Sequence, residues 1–167
     1  MHRAVVLAAV LAGTTAAAGP AATGIKVASG HFGSTSWTLL ADDSTSGSYD
    51  LTMLIGNRLS ASEGGRLDLN GTRGITYLAS RGRPAPNYIV GPVVSTVTHV
   101  VIAYANGTRV TVPTVPAPHG LAPNISFYVF VTRCQSVRPA RITGVTTRGR
   151  MVASMTLPTR LGPRATC

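Results

Sequence analysis

The stretch Val100-Val-Ile-Ala-Tyr-Ala-Asn106-Gly107-Thr108-Arg109-Val-Thr-Val112 decides the fold, and Ile142-Thr-Gly-Val-Thr-Thr-Arg148-Gly149-Arg150-Met-Val-Ala153 echoes it. Each sets β-branched residues on both sides of a turn containing Gly, which reaches positive φ without a steric penalty. Both read as β-hairpins. In the first, a two-residue loop would set Ala103 opposite Val110, whereas a three-residue loop with Gly107 as the bulge sets Ile102 opposite Val110 and Val100 opposite Val112. The second register sorts the faces better. It points Val100, Ile102, Tyr104, Val110 and Val112 inward and His99, Ala103, Arg109 and Thr111 outward, and a slip of one residue would reverse every side chain.

The same period of two recurs toward the N-terminus. Trp37 and Leu39 alternate with Ser36 and Thr38, and Tyr49, Leu51, Met53 and Ile55 alternate with Asp50, Thr52 and Leu54, the pattern of half-buried strands. Leu67 and Leu69 precede Asn70-Gly71, with Ile75 and Tyr77 after it, which reads as a third hairpin. The Pro-rich stretches around Pro84 and Pro86, and from Pro113 through Pro116 and Pro118 to Gly120, read as connections, because Pro brings no amide donor to a ladder. Strand candidates thus follow one another with no helical period beyond the leader. The expectation is all-β: a single antiparallel β-sandwich domain, Ig-like or related, over residues 25–167.

Residues 1–18 run from His2-Arg3 through the apolar Ala4–Ala12 to the small Ala16-Ala17-Ala18, the charged, apolar and cleavage-site order of a secretory signal peptide. Cleavage after Ala18 would leave residues 19–24 as a flexible lead-in and a soluble, secreted domain. The apolar core is too short for a transmembrane span, and no later segment reaches that length. Leu157-Pro-Thr-Arg-Leu161 begins like a wall-sorting signal without its continuation and reads as a loop. Both cysteines, Cys134 and Cys167, survive processing, and an even count in an exported chain favours a disulfide between them.

Charge is the compositional anomaly. The chain carries 15 basic and 5 acidic residues, for a formal net charge of +10. All the acids, Asp42, Asp43, Asp50, Glu63 and Asp68, lie in the first half, and residues 69–167 hold eleven Arg, no Lys and no carboxylate side chain. Such a surface attracts anions. Arg81 and Arg83 in the Pro-flanked loop, with Arg138, Arg141, Arg148 and Arg150 around the second hairpin, are the candidate anion-binding residues. Nucleic acid is not the expected partner, because the RNA-binding signatures are absent and few aromatics interleave with the Arg residues.

Catalytic patterns are missing. His31, His99 and His119 have no zinc-type spacing, no Gly-x-Ser-x-Gly elbow occurs, and no cofactor motif is present. Asp42, Asp43 and Asp50 flank a Ser/Thr/Gly stretch but miss the EF-hand spacing; they would carry the paired-acid role if the protein were a secreted hydrolase. The sequons at Asn70, Asn106 and Asn124 read as incidental to turn chemistry.

Ser29-Gly-His-Phe-Gly-Ser-Thr-Ser-Trp37-Thr-Leu, Gly91-Pro-Val, Val97-Thr-His-Val100, Ala105-Asn-Gly-Thr-Arg-Val-Thr-Val112 and Phe127-Tyr-Val together resemble a pattern in uncharacterised exported proteins of actinobacteria. Asn106 stands where Asp is usual in that pattern. The resemblance implies export and a β fold, and transfers no catalytic residue. The functional expectation is a non-enzymatic extracytoplasmic binding protein for an anionic cell-envelope polymer or another exported protein. The alternative is a small secreted protease inhibitor presenting the Pro113–His119 loop.

Overall fold

The structure, a computed structural model, describes residues 23–42, 48–68, 74–79, 87–132 and 137–159. Residues 1–18, read above as a signal peptide, Asn70 and Gly71, the stretch around Pro84 and Pro86, Arg81, Arg83 and both cysteines lie outside these residues. Eleven strands follow in order: β1 (Ile25–Phe32), β2 (Thr35–Asp42), β3 (Ser48–Ile55), β4 (Arg58–Arg66), β5 (Leu78–Ala79), β6 (Asn87–Val94), β7 (His99–Tyr104), β8 (Arg109–Pro116), β9 (Ile125–Thr132), β10 (Pro139–Val145) and β11 (Met151–Thr156). All pair antiparallel, in a four-stranded sheet β1-β2-β3-β4 and a seven-stranded sheet β11-β10-β7-β8-β9-β6-β5. The fold is the expected all-β sandwich. Among the described residues, no helix is long and apolar enough to cross a membrane.

The larger sheet folds over on itself through β8. Arg109 to Pro113 of β8 pair with β7, whereas Thr114 to Pro116 pair with β9. At this corner the Thr114 amide donates to Thr98 O (3.0 Å) and its hydroxyl to Val97 O (2.9 Å). The expectation that Pro113–Gly120 forms a connection is therefore corrected in its first half: Pro113–Pro116 are strand, and residues 117–120 lie in the connection to β9. A proline is tolerated there because Pro113 sits where the strand leaves one partner for another, and Pro116 ends the ladder.

Three layers result, with a core on each side of the middle one. Leu39, Ala41, Tyr49, Leu51 and Met53 of the first sheet pack on Tyr88, Val90, Ile125 and Phe127 of β6 and β9. The next residues along these strands, Ile89, Val93 and Tyr128, turn the other way and join Val100, Ile102, Val112, Ile142 and Ala153 of the outer layer. Every residue of β6 is buried. A strand covered on both faces has no polar side to alternate with, which explains the near-continuous apolar run from Ile125 to Val131.

The middle layer contains a proline that this arrangement must accommodate. Ile75 bridges Val93 and Leu78 pairs Val90, which sets Thr76 opposite Pro92. The Thr76 amide donates to Pro92 O at 3.3 Å, but Pro92 has no N–H to return. The Tyr128 hydroxyl donates to Thr76 O instead, at 2.8 Å. Gly91 makes room: a Cβ there would stand 2.1 Å from Thr76 O. Tyr128 is fully buried. One bond thus satisfies a carbonyl that proline leaves without a donor and a hydroxyl that water cannot reach.

Both C-terminal hairpins use one device. Gly107 N donates to Tyr104 O (3.0 Å) and Tyr104 N to Thr108 O (2.9 Å), while Gly149 N donates to Thr146 O (2.9 Å) and Thr146 N to Arg150 O (2.9 Å). Gly107 and Gly149 have φ of 85° and 73°, the left-handed residue of a three-residue loop. Asn106 Oδ1 accepts from the Thr108 amide (3.1 Å) and hydroxyl (2.7 Å), so this sequon is also the turn's own hydrogen-bonding set. The pairs Val100↔Val112 and Ile102↔Val110 are those the sequence implies.

Two N-terminal features escape the sequence reading. β4 is an exposed edge strand reached through a turn with Gly56 and Asn57 at φ of 55° and 64°. The described strands on either side of Asn70-Gly71 have different partners: β4 belongs to the first sheet, while Ile75 bridges Val93 of the second. The turn of the expected third hairpin lies outside the described residues.

Candidate anion-binding face

The outer layer exposes one face of β8, β7, β10 and β11. Register places its outward residues in cross-strand rows, because paired residues point to the same side of a sheet. Ala103 pairs with Arg109 on one side and Arg141 on the other, and Arg141 pairs with Thr156, which gives the row Arg109–Ala103–Arg141–Thr156. Below it lies Thr111–Val101–Thr143–Ser154, then Pro113–His99–Val145–Met151. Arg109 and Arg141 are exposed. Two strand spacings separate them by about 10 Å at Cα, with only the small Ala103 between.

Arg138 joins this end of the layer. Its carbonyl accepts the Ala105 amide at 2.9 Å, which holds it beside the β7–β8 turn. Arg148 and Arg150, also exposed, belong to the β10–β11 turn at the opposite end of the strands. The expected cluster of Arg138, Arg141, Arg148 and Arg150 is therefore divided in two. About 20 Å of strand and turn lie between Arg141 and Arg148 at 3.3 Å per residue. Arg81 and Arg83 fall outside the described residues.

Arg109 is the residue that the sequence reading leaves out of the site, although it places the side chain outward. Its companion Arg141 lies far away in sequence and becomes a neighbour only because β10 pairs with β7.

Electrostatics favours an anion here. No carboxylate side chain occurs in residues 69–167; of the described acids, Asp42, Asp50 and Glu63 belong to the first sheet, beyond the middle layer, and Asp68 follows β4. Two like charges 10 Å apart in water repel by about 0.4 kcal/mol, and physiological salt reduces that further. A charge-assisted hydrogen bond from either guanidinium to an anion is worth about 1.5–3 kcal/mol. The row is therefore cheap to hold open and gains when filled.

Below the Arg row, the Thr143 and Ser154 hydroxyls lie 3.3 Å apart, and Ser154 also reaches Ile142 O at 3.4 Å. His99 Nδ1 lies 3.1 Å from the Thr98 hydroxyl.

The remaining candidates are not drawn together. Asp42 and Asp50 face each other directly on the first sheet, and Asp43 lies outside the described residues. Among the described residues, no three His, Cys, Asp or Glu side chains form a group that would hold a metal. Trp37 is half-buried and lies over its strand partner Gly30, where a Cβ would come within 2.7 Å of the indole. The loop expected to protrude as an inhibitor segment is short and folded back. Leu121 N donates to Pro118 O (3.1 Å), Ile125 N to Ala122 O (3.2 Å), and a Cβ at Gly120 would meet Ile25 at 2.7 Å.

Three tyrosines have raised pKa values. Burial is the main cause at Tyr128, whose phenol is pushed well above 10.0, with smaller contributions from Tyr77, Tyr49 and Glu63. Burial also raises Tyr49, against a hydrogen bond with Thr76 that lowers it, and raises Tyr104. These hydroxyls are suited to structural hydrogen bonding rather than to proton transfer near neutrality.

Compared with known protein families, with curated proteins and with solved structures, the chain matches none.

Proposed function

We propose that this is a non-enzymatic extracytoplasmic binding protein whose outer layer engages an anionic component of the cell envelope. The observation that carries the reading is the exposed Arg109–Ala103–Arg141 row, with Arg138 beside it, on a layer without a carboxylate side chain. Export through the 1–18 leader, the Cys134–Cys167 disulfide and membership of an exported actinobacterial group belong to the same reading. The experiment is co-sedimentation of the mature, oxidised protein with the producing cell's envelope fraction across a salt series. Binding at low salt that fades as salt rises, and that weakens in the Arg109→Ser/Arg141→Ser variant, is the expected result. No binding at low salt overturns the reading and directs the search to exported protein partners.

A further inference from the structure

The two arginine groups lie on one layer, at opposite ends of β10, with the rows Thr111–Val101–Thr143–Ser154 and Pro113–His99–Val145–Met151 between them. A compact anion can fill only one end. We propose that the ligand is a linear phosphate polymer laid across the β8-β7-β10-β11 face, engaging Arg109, Arg138 and Arg141 at one end and Arg148 at the other. This rests on the anion-binding reading above and adds the ligand's form and its minimum length.

Two features favour a phosphate polymer over an acidic polypeptide. The Arg row sits on the face of the layer; Arg141 comes from β10, paired with β7 and β11, and Arg109 from the half of β8 that pairs with β7. A peptide lying across the face meets side chains only, because strand pairing of its N–H and C=O groups would need it to lie along an outer edge of the layer, at β11 or the first half of β8, away from the face between the two arginine groups. A phosphate polymer has no backbone amide to satisfy. Its charges lie in its backbone, where guanidinium groups and the Thr111 and Thr143 hydroxyls can donate to the phosphoryl oxygens. The span of about 20 Å between the groups then acts as a ruler. A chain shorter than the span engages one end, and a longer chain engages both and gains from effective concentration.

The test compares tripolyphosphate, long-chain inorganic polyphosphate and polyglutamate of matched charge, titrated into the mature, oxidised full chain at low salt. The single variant Arg148→Ser and the double variant Arg109→Ser/Arg141→Ser change exposed residues only, and near-UV circular dichroism checks that each remains folded. Long-chain polyphosphate is expected to bind at least about 100-fold more tightly than tripolyphosphate. Arg148→Ser should remove most of that advantage while changing tripolyphosphate binding by no more than about twofold, whereas Arg109→Ser/Arg141→Ser should weaken both ligands. If the long chain is sensitive to Arg109 and Arg141 but indifferent to Arg148, the spanning ligand is overturned and a one-ended anion site stands. If polyglutamate binds as tightly as long-chain polyphosphate, the phosphate polymer is overturned in favour of an acidic polypeptide. If no polyanion binds at low salt, this inference and the anion-binding reading fall together.

Discussion

The first sheet and the outer layer cover the middle layer from opposite sides, and both present four strands, yet they are assembled differently. The first sheet is an unbroken meander over residues 25–66, with all four strands in sequence order. The outer layer joins two hairpins separated in sequence, with β10 beside β7 and β8 shared with the middle layer. Because each side draws on a different half of the chain, an asymmetry of charge along the sequence becomes an asymmetry across the molecule. Among the described residues, Asp42, Asp50 and Glu63 lie on the first sheet, and the outer layer carries arginines with no carboxylate side chain. Glycine also serves differently at two named positions. Gly30 gives space to Trp37, whereas Gly107 supplies a positive φ in a turn where an added Cβ would touch nothing.

The strongest way to break this comparison is to ask whether the two sides unfold separately. Leu39→Ala on the first sheet and Ile102→Ala on the outer layer each remove a fully buried side chain and should each cost about 2–5 kcal/mol. The one tryptophan, Trp37, belongs to the first sheet, so its fluorescence reports that side alone, while far-UV circular dichroism reports every strand. Coincident urea transitions in both variants are expected, because β8 ties the layers together. An Ile102→Ala protein whose Trp37 transition stays in place while its dichroism moves would mean two independent units.

Next in size is the bond that holds the middle layer. Tyr128→Phe should cost about 1–3 kcal/mol by leaving Thr76 O unpaired. The same side chain should govern the alkaline limit. Its phenol ionises near 10.0 when unfolded and well above that when folded, so its contribution is fully present below pH 10 and is lost as pH rises beyond it. Stability measured across that range should fall, and fall less steeply in Tyr128→Phe.

Substitutions at the two glycines sharpen the contrast between space and conformation. Gly30→Ala forces Trp37 to move and should cost about 1–3 kcal/mol, with a shift in indole emission. Gly107→Ala meets no neighbour and should cost about 1 kcal/mol through its φ alone, with emission unchanged. The smallest effect is electrostatic. Asp50→Asn should raise the melting temperature slightly at low salt by relieving its direct opposition to Asp42, and the gain should shrink as salt is added.

Much of the outer layer was legible in the sequence. The Asn106-Gly107 hairpin yields its loop length, its register and the outward placement of Arg109, because turn chemistry and alternation point to the same answer. β4 was not legible: Arg58–Arg66 is an exposed edge strand with Gly64 and Gly65 in place of an alternating apolar face. Local rules also misread Pro113, since the general exclusion of proline from ladders says nothing about a strand that changes partners. The Arg109–Arg141 neighbourhood depends on which hairpin strands meet, and that is decided by packing rather than by any local motif.

Pro92 and Tyr128 also have a consequence for how the sequence can drift. Restoring an amide at position 92 would give Thr76 O back a ladder donor, and the phenol at position 128 would lose its role as a substitute. Each position therefore sets which replacements the other tolerates. A lineage that abandons the proline is free to abandon the hydroxyl, whereas one that abandons the hydroxyl first passes through a destabilised intermediate. The order of substitution, and not only its outcome, is written into that single bond.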